Sequence, residues 1–165
     1  MNNIKKMTYT ALLTALAVVI PLAFGFLAIQ LGPFSATLAS HVPLFIAMLL
    51  SPIAAATVGI GSGIGFLITK GSYIAARAFM HTFVGIFGGW LIKKGVSYRN
   101  MVILTAPLHG VLEALIVIPF GITLDKIIVT VGIGTVLHHF VDGLIAFSIV
   151  QVLYKALNLS LIKEI

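Results

Sequence analysis

The feature that most constrains this chain is a succession of apolar stretches, each about the length of a bilayer crossing. A spanning helix needs about 20 mainly apolar residues to cross a hydrocarbon core roughly 30 Å thick. Stretches of that kind run from Met7 to about Leu27, from Ile53 to Ile68, from Tyr73 to Ile92, from Met101 to about Phe120, and from Val129 to about Leu157. A shorter one ends at Leu50, where Ser51-Pro52 stops it. Charged residues make up 8% of the 165 residues, hydrophobic ones 60%, and the mean hydropathy is +1.18. A water-soluble domain carries about 25% charged residues, so this chain could not cover a hydrated surface. It is read as an all-α integral membrane bundle of six transmembrane helices, in a single domain over residues 1–165.

Between the first two helices, Ala28 to Thr37 is expected to be a loop, broken at Gly32-Pro33. Lys5 and Lys6 before the first stretch would also suit a secretion signal. The apolar run is too long for one, however, and no A-x-A cleavage site ends it, so it reads as a retained helix. Charge supports the count of six. With the N-terminus inside, Lys5, Lys6, Lys93, Lys94, Arg99, Lys155 and Lys163 fall at cytoplasmic ends, whereas only Lys70 and Lys126 fall outside. Cytoplasmic loops collect Lys and Arg, so both termini are expected in the cytoplasm. The net charge of +6 is scattered and forms no stripe that could follow a nucleic acid.

Several chemistries lack their parts. There is no cysteine, hence no thiolate nucleophile or disulfide. The glycines of the third helix (Gly59, Gly61, Gly63 and Gly65) and the pair Gly85 and Gly89 lie at small-xxx-small spacing and suit close helix packing. They lack the lysine and spacing of a phosphate loop. No Gly-x-Ser-x-Gly turn presents a nucleophile, so an enzyme is not expected.

Ionisable groups inside a span are expensive and mark a site by default. Three pairs share a helix face at i, i+4: Arg77 with His81, His109 with Glu113, and His138 with Asp142. Because successive helices alternate in direction, these pairs and His41 fall in the outer half or at the midplane. His41 is placed about seven residues into a second helix that starts near Phe34. Each pair could instead be an internal bridge, and His139 reads as a packing residue. Arg77 has no acid within reach on its own helix, and its planar fork suits a carboxylate. The residues expected to bind a ligand are Arg77, His81, His41, Glu113, His138, Asp142 and Phe34. Phe79, Trp90 and Phe140 are further candidates for stacking on a ring. The His-x-x-x-Glu and His-x-x-x-Asp pairs have ligand types that suit zinc, but bundles that bury pairs produce the same spacing. No residue is assigned to a metal, and no cofactor is expected.

The chain resembles the substrate-binding S component of energy-coupling factor vitamin transporters over nearly its whole length. The likeness lies in its size, its six helices and the basic start leading into Met7-Thr8-Tyr9-Thr10-Ala11-Leu12-Leu13-Thr14-Ala15. Phe34-Ser35-Ala36-Thr37-Leu38-Ala39-Ser40-His41-Val42-Pro43 and Arg77-Ala78-Phe79-Met80-His81 look like the corresponding parts of members assigned to small carboxylate vitamins. The resemblance implies that Ala11 and Ala15 dock on a transmembrane coupling subunit served by two ATPase subunits, in the plasma membrane of a bacterium. It further implies a vitamin pocket in the outer half, covered by the loop after helix one, and a toppling movement that releases the substrate inside. The charge favours niacin first, pantothenate second and a pyrimidine precursor of thiamine third. The competing class is a self-sufficient proton- or metal-linked secondary transporter, for which the chain is small and shows no internal repeat.

Overall fold

The computed structural model describes residues 2–157; Lys163 and Ile165, at the C-terminal end assigned to the cytoplasm, lie outside the described residues. Among the described residues, the regular structure is helical apart from one two-stranded hairpin. Helix α1 runs Asn3–Ala23, capped by the Asn2 side chain, which accepts the Lys5 N–H. The expected loop after it is an antiparallel hairpin, β1 (Ala28–Leu31) with β2 (Phe34–Thr37), turning at Gly32-Pro33. Helix α2 is Val42–Leu50 and α3 is Pro52–Lys70, separated by Ser51, whose hydroxyl caps α3 by accepting the Ala54 N–H. Proline at the first helical position is compatible with that cap because its missing N–H would be unpaired there anyway.

The fourth crossing is broken. Helix α4 (Ser72–Phe79) and helix α5 (His81–Lys93) meet at Met80, where the backbone tightens into i→i−3 bonds: Met80 N–H to Arg77 O and Phe83 N–H to Met80 O. Helix α6 (Tyr98–Ile116) is capped by Ser97 and followed by a short 3-10 turn at Ile118–Phe120. The last crossing begins as a π-helix, Lys126–Ile133, and continues as α7 (Gly134–Leu157). Counting α4–α5 and the π segment with α7 as single crossings gives six helical segments. Five are long and apolar enough to span a membrane among the described residues; the sixth, α2, has nine residues.

One expectation is corrected by these boundaries. The second helix starts at Val42, not near Phe34, and His41 is its N-cap residue. Pro43 explains the shift: a helix running through it would set its ring against the carbonyl of Ala39. Ala39 instead takes a left-handed conformation (φ 66°), which closes the turn between β2 and α2.

In lipid, helices associate through packing and polar contacts, since lipid tails are as apolar as leucine. Helix α3 is the centre of that packing, lying against α1, α2, α4 and α5. A Cβ added at Gly59 would sit 2.5 Å from the Thr82 nitrogen, and one at Gly89 would sit 2.8 Å from the Pro52 backbone. The glycines therefore set the distance between α3 and the α4–α5 crossing, which carries Arg77 and His81. The apolar core is built by Phe45, Met48, Val58, Val84, Met101 and Ala146, all fully buried. Leu12, Leu16, Ile64, Leu67, Phe83, Ile103, Leu144 and many like them are exposed, as suits a surface solvated by lipid.

Candidate functional site

Four helical segments and the hairpin bring their polar residues to one place in the hairpin half of the bundle. Two buried acids organise it. Glu113 on α6 is 4% exposed and Asp142 on α7 is completely buried.

Asp142 holds the entry to α2. Its Oδ1 accepts the Ala39 N–H (2.8 Å), and its Oδ2 accepts the His41 N–H (2.9 Å) and lies 2.9 Å from His41 Nδ1. His138 Nε2 lies 3.1 Å from the same oxygen and 3.2 Å from the Thr37 carbonyl. One carboxylate thus fixes the left-handed Ala39, the start of a short helix and the orientation of two imidazoles. Bonds to two backbone N–H groups at a helix start also suit its negative charge.

Glu113 is paired with Arg77 across helices. Arg77 Nε and Nη2 both donate to Glu113 Oε2, at 3.0 and 2.6 Å. Thr135 at the start of α7 donates to the same oxygen. The guanidinium also reaches β2, with Nη1 3.3 Å from Ser35 Oγ and Nη2 3.3 Å from the Ser35 carbonyl. The other carboxylate oxygen, Oε1, faces His109 Nε2 at 3.2 Å and His81 Nε2 at 3.6 Å. His41 Nε2 and His81 Nε2 are 2.9 Å apart.

A cavity opens on this network, with about 300 Å³ of empty space including its open mouth. Its wall is formed by Ser35, Ala36 and Thr37 of β2, Ser40, His41, Phe66 of α3, Ile74, Arg77 and Ala78 of α4, His81, Glu113 and His138.

Of the residues expected to bind a ligand, Arg77, His81, His41, Glu113 and His138 line the cavity. Asp142 lies behind it with both oxygens occupied. Phe34 packs beneath Arg77, whose Cζ is 5.5 Å from the ring centroid, and against Gly134, so it supports the guanidinium from outside the cavity. Phe79 packs where a Cβ on Gly63 would fall, and Trp90 stacks on Phe87 away from the cluster; neither lines the cavity, nor does Phe140.

The aromatic ring in the wall is Phe66, which sequence reasoning missed. Ser62, one helical turn earlier on the same face, lies 3.1 Å from His81 Nδ1, and that polar position was the available signal. His139, read as a packing residue, does pack edge-on against Phe45. It is also a member of the network, with Nδ1 3.0 Å from His109 Nδ1 and Nε2 3.1 Å from both the Val102 carbonyl and Thr105 Oγ1.

No family model matches the chain, and no solved structure matches it. It is similar to a curated protein, the niacin transporter NiaX of Lactococcus lactis subsp. cremoris, with 30% identity over 172 residues, covering 93% of this chain and 77% of that protein. Identity of that extent, added to six helical segments around a polar cavity, places the chain: it belongs to the S components of energy-coupling factor vitamin transporters.

Proposed function

We propose that this chain is the niacin-binding subunit of a bacterial plasma-membrane uptake system, and that it works with a transmembrane coupling subunit and two ATPase subunits. The observation that carries the substrate is Arg77 in the cavity wall. Its Nε and Nη2 are committed to Glu113, whereas Nη1 has only Ser35 Oγ at 3.3 Å and keeps donor capacity for an anion. Phe66 in the same wall offers an apolar face to a pyridine ring. The similarity to a niacin transporter supports niacin over pantothenate and over a pyrimidine.

In this reading both termini face the cytoplasm. Successive crossings alternate, so Lys5, Lys6, Lys93, Lys94, Arg99 and Lys155 fall at the end away from the hairpin, in keeping with the inside bias of basic residues. The cavity then lies in the outer half, with β2 as part of its roof. Ala11 and Ala15 are exposed on α1 near the cytoplasmic end. Thr14 and Val18 of the same helix pack on Gly61 and Gly65 of α3, so the alanine face is left for the coupling subunit.

Equilibrium titration of the purified chain with niacin, nicotinamide and pantothenate tests the substrate. Saturable binding of niacin without ATP or a gradient is expected, with nicotinamide weaker by roughly tenfold or more for want of the charge-assisted bond. Absence of affinity for any of the acids would remove the niacin assignment. Uptake by the chain alone, driven by a proton gradient, would promote a self-sufficient carrier.

A further inference from the structure

Three imidazoles and one carboxylate oxygen converge on a point at the floor of the cavity. His41, His81, His109 and Glu113 each offer one ligand atom, all four within 4.8 Å of one another, and all four residues are buried. They come from the start of α2, the start of α5 and a single face of α6. We propose that these four residues hold a divalent transition-metal ion of the zinc class.

The partners on the far side of each ring support this. A metal-bound histidine ordinarily gives its other ring nitrogen to a carboxylate, a carbonyl or another polar group, which fixes the tautomer. His41 Nδ1 faces Asp142, which in ionised form can only accept, so the proton sits on Nδ1 and the Nε2 lone pair points at the convergence point. His139 Nε2 faces the Val102 carbonyl, also an acceptor only, while Thr105 donates to the Met101 carbonyl at 2.8 Å. The His139 proton is therefore on Nε2, its Nδ1 accepts, and His109 must donate from its own Nδ1. Neutral His109 then turns an Nε2 lone pair toward Glu113 Oε1 at 3.2 Å, acceptor against acceptor. His81 is held by the Ser62 hydroxyl, which serves either tautomer. A lone pair facing a lone pair in a buried site is relieved by a cation, either a proton on His109 or a metal ion held by all four ligand atoms. Three nitrogens and one oxygen, with tetrahedral or five-coordinate geometry, suit zinc, cobalt or nickel.

Charge points the same way. The buried cluster sets one guanidinium, Arg77, against two carboxylates, Glu113 and Asp142. A dication would make it a net positive receptor. Its contribution to holding a carboxylate vitamin rests on the niacin assignment above, whereas the metal site itself does not.

The test uses the untagged full-length chain, stripped with a chelator and titrated with cobalt(II). One equivalent should bind with the intense visible absorption of a four-coordinate cobalt–imidazole site, and zinc(II) should displace it. His109→Ala should abolish the absorption. His139→Gln, which removes only the outer partner, should weaken metal affinity about 10- to 100-fold. A folded wild-type chain that takes up no stoichiometric metal would overturn the proposal, as would uptake unchanged in His109→Ala. Niacin is titrated into the stripped and loaded forms separately. Metal uptake with no response to niacin supports the site and removes the niacin assignment; niacin binding with no metal uptake does the reverse.

Discussion

In the hairpin half of the bundle, α2, the α4–α5 crossing, α6 and α7 meet through imidazole, guanidinium and carboxylate groups. In the opposite half, the same helices and α3 meet through glycine, alanine and methionine, with Gly88 on Met48, Gly89 on Pro52 and Met101 fully buried. A hydroxyl lock, Tyr98 to the Gly143 carbonyl at 3.0 Å, is a polar contact of that region. The polar half is expensive in lipid unless its groups are paired, and every buried side-chain nitrogen or oxygen among the described residues has a polar atom within hydrogen-bond distance. Such a half is suited to exchange partners with a ligand. The apolar half can only fit or clash, which suits a rigid surface for another helix.

The comparison can be broken most forcefully at Glu113. Glu113→Ala leaves the Arg77 guanidinium buried without its carboxylate, and loss of one member of a buried ion pair costs about 3–5 kcal/mol. A clear fall in the thermal midpoint of the detergent-solubilised chain is expected. An unchanged midpoint would mean that the polar half is hydrated and tolerant rather than closely paired.

Arg77→Lys retains the charge but loses the planar geometry that reaches Glu113, Ser35 and Thr135 together. Niacin affinity should fall by about 1.5–3 kcal/mol, the value of a charge-assisted hydrogen bond. If affinity holds while the thermal midpoint falls, Arg77 serves only the bundle.

Gly59→Ala sharpens the contrast from the packing side. The new methyl would press on the backbone at His81 and Thr82, and overpacking costs about 1–3 kcal/mol. Because the same backbone carries His81, niacin affinity should fall along with stability. A stability loss without an affinity loss would show that the break at Met80 insulates the cavity from α3.

Ala15→Trp should do least to the isolated chain, since Ala15 is exposed. Stability and niacin affinity should stay near wild type while co-purification with the coupling module is lost. Retained assembly and transport would mean that this face meets lipid only.

Much of this contrast was legible in the sequence because helical periodicity places i and i+4 on one face. His109 and Glu113, and His138 and Asp142, do lie side by side, at 3.2 and 3.1 Å. Arg77 and His81 share an acid instead of touching, and that acid, Glu113, is 36 residues away from Arg77 in the chain. No spacing rule reaches across helices to name it. The hairpin was hidden because a four-residue strand is too short to show alternation, although its Gly32-Pro33 turn was visible. The break at Met80 carries no proline or glycine, and the α3 backbone at Gly59 packs closely on His81 and Thr82 just after it. The π-helical start of the last crossing contains Gly132 and runs into Gly134, a signal that sequence reading did not use. His139 was read only as a packing residue because its partners, His109, Val102 and Thr105, all lie on another helix.

The most direct test of the account is calorimetric titration of the purified chain with niacin, in detergent, with no nucleotide and no coupling subunit, performed with and without added zinc(II). Saturable one-to-one binding that is weakened by Arg77→Lys and untouched by Ala15→Trp is the predicted result. Absence of niacin binding under both conditions, from a chain that remains folded and monodisperse, would contradict it.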